Sequence, residues 1–285
     1  MSAATPDRPT PAGNGLPRDV WVNFKRWSRK AMRNPTAFFL EIAVGVLSLL
    51  LFSAVFGDVG ELALEAAGYG GVEYLTYLVP AVFMQATMGS AFTSGVGLVG
   101  DLESGMFEKV TVTPMGWTAV LLGKAAADLL RILVQVVVVL ALAVALGASV
   151  ETGVSGVVGI AAVCLLVGLL FMSVANILGV LVRDEEAINA ASMLFMFPLL
   201  FLSPAYIPVA DDVAWLARLN PITYGVDATR ALVLGEDVST VLSVTRFGGI
   251  YDTLVPSVAI LVGLNVLVGA LAVWVLRRAS SADAG

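Results

Sequence analysis

Apolar positions gather into six long runs, each close to the roughly 20 residues that a helix needs to cross a bilayer. The runs are Phe38–Phe56, Tyr74–Gly100, Ile132–Val150, Thr152–Val182, Ala187–Ala210 and Thr253–Leu276. Only the first contains a charge, Glu41. The fourth has length to spare for a tilt or an entry turn. Six crossings put both termini on one side. Ahead of the first run, Trp21, Phe24 and Trp27 recur at i, i+3 and i+6, with Lys25, Arg26, Arg29 and Lys30 between and after them. That spacing predicts a basic amphipathic helix over residues 19–34, lying along the headgroups. It either anchors the topology or also touches a cytoplasmic partner. Residues 1–18 form a polar tail without helical pattern, and no cleavable signal peptide is expected.

Composition agrees with a polytopic membrane protein. Of 285 residues, 58% are hydrophobic and 13% charged, and mean hydropathy is +0.91. Soluble domains carry about 25% charged residues. Net charge is −6, which argues against nucleic-acid partners. Histidine is absent and Cys164 is the only cysteine, so imidazole chemistry, cysteine metal clusters and internal disulfides are excluded. Orientation follows from the basic residues. With the termini cytoplasmic, 13 of 16 Lys and Arg face inward, and only Arg218, Arg230 and Arg246 lie outside. The chain reads as all-α: residues 35–278 form a six-span unit and 279–285 a cytoplasmic tail.

Two loops carry most of the functional signal. The inner loop after the second run, residues 101–117, alternates acidic and apolar residues before Pro114 stops it. Met106, Phe107, Val110 and Val112 are a large apolar surface for a loop. A helix dipping into lipid is one reading. The loop's acidic charge, facing an anionic leaflet, favours a protein partner instead. The long outer loop, residues 211–250, predicts two short helices. One begins at Asp211; the other is capped by Asn220, has Pro221 at its first position and stops at Gly235.

These two segments resemble the type-2 ABC exporter permeases of the drug-resistance and polysaccharide-export class. Glu103 to Pro114, followed by Leu121-Leu122-Gly123-Lys124, is similar to their coupling loop, although Leu102 and Ser104 stand where the family usually has arginine. Asn220-Pro221-Ile222-Thr223-Tyr224 with Arg230 is similar to their second signature. The resemblance implies a permease subunit that pairs with a second copy or a related permease and with two copies of a cytoplasmic ATPase. It implies ATPase coupling through Asp101, Glu103, Met106, Phe107, Glu108, Lys109 and Pro114, with Arg183, Asp184 and Glu185 of the second inner loop beside them. It also implies contact through the interfacial helix (Trp21, Phe24, Lys25, Trp27, Arg29) and an outer re-entrant hairpin. Asn220, Pro221, Tyr224, Asp227 and Arg230 are then candidates for an outer gate, against the plainer reading of a surface cap. The chain has no P-loop of its own: Thr118 and Ala125 stand where Gly and Ser or Thr belong around Gly123-Lys124. No cofactor is therefore expected on it, with ATP and magnesium held by the partner.

Within the runs, polar groups are few. Lys124, Asp128 and Arg131 precede the third run on one helical face and can pair. No carboxylate lies at a midplane, which disfavours the alternative of an ion-coupled secondary transporter. Without histidine or clustered carboxylates, a membrane enzyme is disfavoured too. Phe83, Met84, Gln85, Phe92, Asn176, Phe195, Met196 and Phe201 are either packing surface or a path for an amphipathic, lipid-like or drug-like substrate. Gly95, Gly97, Gly100, Gly263 and Gly269 permit close helix packing. The arginine-rich basic set and a pI near 4.7 point to a prokaryotic cell membrane.

Overall fold

A computed structural model describes residues 15–33, 35–104, 117–208, 212, 214–242 and 245–282. Its regular elements are helices: α1 (Leu16–Arg33), α2 (Pro35–Ala66), α3 (Tyr74–Glu103), α4 (Trp117–Ala145), α5 (Gly153–Val182), α6 (Glu185–Phe201), α7 (Ala214–Leu219), α8 (Pro221–Leu234) and α9 (Ile250–Ala282). Five of them, α2, α3, α4, α5 and α9, are long and apolar enough to cross a membrane. In apolar surroundings every backbone group must find an internal partner, and an unbroken helix supplies that.

The sixth expected crossing, residues 187–210, differs. Helix α6 has 17 residues and stops at Phe201, which is about 25 Å at 1.5 Å per residue. Pro198 lies in its last turn, and turns follow over 202–207. Other boundaries move outward. The first run continues as helix past Asp58, Glu61 and Glu65 to Ala66. Helix α4 starts at Trp117, so Lys124, Asp128 and Arg131 lie inside it rather than ahead of it. Asp101 and Glu103 form the last turn of α3 rather than a separate loop helix. Residues 279–282, expected as tail, continue α9.

Helix α3 is the centre of the bundle. In its most apolar 18-residue window 89% of residues are buried, against 11% for α2 and α9. It packs against α2, α4, α5, α6 and α8. Small residues allow this. A Cβ on Gly95 would lie 2.8 Å from the Ala175 carbonyl oxygen of α5. Gly263 and Gly269, in contrast, face open space within the chain.

Helix α8 is the unusual element. Every residue from Ile222 to Val233 is buried. Asn220 Oδ1 accepts from Ile222 N at 3.0 Å, Pro221 opens the helix, and Gly235 ends it at φ 72°, as the sequence predicts. A Cβ on Gly225 would meet Met84 Sδ at 2.7 Å and Val167 Cγ2 at 2.9 Å. Met84 is ten residues from the start of α3, or about 15 Å along its axis. Helix α8 therefore reaches deep into the bundle, between α3, α5 and α9.

Candidate functional site

At one end of the bundle, α1 lies across α4 with almost no gap. A Cβ on Gly123 would be 2.5 Å from Asn23 Cβ, 2.8 Å from Val20 O and 2.9 Å from Phe24 N. This crossing directs Trp27 inward, where 8% of it is exposed. Lys30 Nζ sits 4.6 Å from the Trp27 ring centroid and Lys124 Nζ 5.0 Å. Such cation–π contacts contribute about 0.5–2 kcal/mol each, more as they are desolvated. The aromatic stripe therefore divides. Trp27 packs on protein, including Gly97. Trp21 is exposed and stacked on the half-buried Phe24. Lys25 lies over Trp21 at 5.2 Å, and Arg29 is exposed.

Two ionic clusters continue from there. Asp101, buried at the end of α3, pairs with Lys30 at 2.9 Å and Arg26 at 3.8 Å. Three residues later the described chain breaks off: Met106, Phe107, Glu108, Lys109 and Pro114 lie outside the described residues. Lys124 pairs with Asp128 at 2.7 Å, and Ser94 Oγ donates to Asp128 at 2.5 Å. Arg131 turns to α2 and pairs with Glu41 at 2.8 Å. Thr93 Oγ1 also donates to Glu41 at 2.8 Å, and Gln135 Nε2 donates to its other oxygen. The i, i+4 pairing of Lys124 and Asp128 was legible in the sequence. The Glu41 partners, 52, 90 and 94 positions away, were not.

The turn at 183–185 meets the same end. Arg183 closes α5 in the left-handed region at φ 54°, the one described non-glycine residue with positive φ. Asp184 caps α6 by accepting from Ala187 N at 3.0 Å. Glu185 lies so close to Gly100 that a Cβ there would be 2.7 Å from its Oε1. Asp101, Glu103 and the 183–185 turn thus share one end with α1; Glu103 is exposed.

At the far end, the outer-gate candidates form a connected set. Asn220 Nδ2 donates to Leu199 O at 2.5 Å, tying the start of α8 to α6. Tyr224 OH donates to Arg218 O at 2.5 Å. Asp227 accepts from Thr240 N at 3.0 Å and Thr240 Oγ1 at 2.6 Å. Burial pushes the Asp227 carboxyl up to about 6, against the opposing pull of those hydrogen bonds and of Arg230. Arg230 is 1% exposed. Its Nη2 donates to Pro204 O at 2.7 Å, Ala205 O at 3.2 Å and Tyr77 O at 3.3 Å. Its guanidinium lies 3.6 Å from the Tyr77 ring centroid. The sequence reading missed Tyr74 and Tyr77, whose hydroxyls donate to Tyr206 O and Pro204 O. Two phenols at i and i+3 opening an uncharged run were the available signal.

The path candidates separate by depth. Phe83, Met84, Gln85 and Phe92 are buried in the packed interior around α3. Asn176 is half-buried. Phe195 and Phe201 are exposed on α6, with Met196 half-buried between them.

Residues 18–234 match the family described as ABC-2 type transporter. A daunorubicin resistance ABC transporter permease protein, DrrB1, of Streptomyces coeruleorubidus is 28% identical over 211 residues, 72% of each chain. A putative transport permease, ycf38, of Cyanophora paradoxa is 24% identical over 220 residues, 75% of this chain and 74% of that one.

Proposed function

The chain belongs to the ABC-2 type transporter family, and we propose that it is the permease subunit of an ATP-driven exporter. In this reading a separate ATPase, in two copies, binds ATP and magnesium and drives a dimer of permeases, formed by a second copy or a related chain. The substrate is amphipathic, drug-like or lipid-like, and leaves the cytoplasm of a prokaryotic cell. The first relative's printed role in daunorubicin resistance supports the drug-like class. Both termini are cytoplasmic, and α6 with the chain that follows it makes the sixth crossing.

One observation supports this most. The basic helix α1, the buried Asp101 and the turn at 183–185 converge on one end of the bundle, where the described chain stops at Ser104. A push on that end passes to α1 through the Asp101 pairs, and to α4 through Trp27 and Lys124. From α4, the Arg131–Glu41 pair carries it to α2. The chain supplies a path and a movement and makes or breaks no bond. The path then runs over the exposed aromatics of α6 rather than through the packed interior of α3, and the α8 hairpin closes the outer mouth.

The test is charge reversal at Glu103 and Glu108, both to lysine. Stimulation of the partner ATPase is expected to be lost while the permease remains folded in the membrane. Undiminished transport by that variant contradicts the coupling role.

A further inference from the structure

The carbonyls at the end of α6 and in the turn just past it are not left to solvent. Neither a helix's last carbonyls nor those beyond its end have a partner within the helix, and a buried carbonyl without one costs roughly 1–3 kcal/mol. Here side chains from two other helices supply the donors. Tyr74 OH reaches Tyr206 O at 3.0 Å, and Tyr77 OH reaches Pro204 O at 3.2 Å. Arg230 Nη2 reaches Pro204 O and Ala205 O. Asn220 Nδ2 takes Leu199 O. The Tyr206 ring completes the seat by stacking on Phe52 of α2, with centroids 4.5 Å apart. Residues 203–206 are buried, while Leu202 and Ile207 on either side are exposed.

We propose that residues 202–206 form a latch, with Arg230 as its positioning residue, whose release frees the far end of α6 from α3 and α8. This rests on the reading of that end as an outer gate. The fastening is unlike the packing elsewhere in the bundle. Between α3 and α5, contact is backbone against Cβ at Gly95 and Ala175, and closely packed interiors deform little. At 202–206 the fastening is one ring stack, Tyr206 on Phe52, and a few discrete hydrogen bonds, which break and re-form one at a time. Arg230 also makes all three of its bonds through one nitrogen. Its Nε and Nη1 are buried without a partner, although a guanidinium carries five N–H donors. Those spare donors let it exchange carbonyls as the segment moves, so the latch opens without stranding the cation. Asp227, three residues earlier on α8, does not compete for it, because its carboxylate accepts from Thr240.

The test uses the full chain in lipid nanodiscs. A single cysteine replaces exposed Ile207 and carries a nitroxide; Cys164 is fully buried and does not label. A control cysteine replaces exposed Val144 on α4. Tyr74→Phe and Tyr77→Phe keep the rings and remove one donor each. The mobile fraction of the 207 spectrum relative to the immobile is expected to rise about fivefold per hydroxyl removed, as for one ordinary hydrogen bond, with the 144 spectrum unchanged. Arg230→Lys, which keeps the charge and loses the fork, is expected to exceed either. An unchanged 207 spectrum in the double Tyr→Phe variant overturns the latch. So does equal loosening at 144, which would mean that the hydroxyls only hold the bundle together. Because no ATPase or transport enters the measurement, an immobile label in a chain that co-purifies with an active ATPase overturns the latch alone. A loosened label in a chain with no ATPase contradicts the exporter reading and leaves the latch standing.

Discussion

Substituting Gly123 with alanine tests the docking of α1 quantitatively. The new Cβ would fall 2.5–2.9 Å from Asn23 Cβ, Val20 O and Phe24 N. None of these is the far end of a flexible side chain, so the strain is relieved only if α1 moves off α4. Ordinary carbon contacts lie near 3.5–4.0 Å, which requires a displacement of about 1 Å. That displacement loosens Trp27 between Lys30 and Lys124. Overpacking costs about 1–3 kcal/mol, and with three atoms met under 3.0 Å this site falls in the upper part of that range, about 2–3 kcal/mol. The intrinsic helix preference of alanine over glycine returns about 1 kcal/mol. The clash wins, leaving about 1–2 kcal/mol against docking, which is a factor of about 5–30 in the docked-to-undocked ratio. Hydrogen exchange of the detergent-solubilised protein reads this directly. Amides of residues 20–30 are expected to exchange about 5–30 times faster, with those of α5 unchanged. Unaltered protection of α1 would refute the close crossing, and so would equal loss in α1 and α5.

Three further outcomes follow from the same geometry. Glu41→Leu leaves the half-buried Arg131 without its carboxylate, and is expected to destabilise by about 1–3 kcal/mol, less than for a fully buried pair. Adding Arg131→Leu should recover much of that, so a thermal-unfolding cycle that is additive counts against the pair. Asn220→Ala removes both the cap on Ile222 N and the tie to Leu199 O, and a drop of about 1–2 kcal/mol is expected, read as a lower melting temperature. Burial holds the Asp227 carboxyl up at about 6, above its ordinary 3.8, so the folded state binds a proton more tightly than the unfolded one. Its contribution to stability is therefore greatest at acid pH and declines as pH rises from about 4 to about 6. Asp227→Asn should flatten the pH dependence of the melting temperature across that window, and an unaltered slope would count against it.

Local rules carried much of the fold into legibility. Apolar runs located the five long helices, because an apolar helix of that length has few alternatives in lipid. The ends of α8 were legible to the residue, because Asn220, Pro221 and Gly235 each act within one turn. Lys124 and Asp128 were legible for the same reason, being one helical turn apart. Tertiary contact decided the rest. The buried turn at 203–206, just past the end of α6, takes its donors from Tyr74, Tyr77 and Arg230, which no local pattern announces. The division of the α1 stripe, with Trp27 inward and Trp21 outward, follows from the α4 crossing at Gly123. Helix α2 runs past its charged residues because Leu64 and Gly60 still pack: Leu64 is 1% exposed, and Gly60 lies against the Tyr74 ring.

In the proposed exporter this chain supplies a path and a motion while another chain hydrolyses ATP. The direct measurement is purification of the tagged protein from its native membrane in mild detergent, with ATP hydrolysis assayed in the eluate. Co-elution of a P-loop ATPase is expected, with vanadate-sensitive hydrolysis that the Glu103→Lys, Glu108→Lys variant loses. A permease that elutes without any ATPase, and moves its substrate on an imposed proton or sodium gradient alone, would contradict the exporter reading.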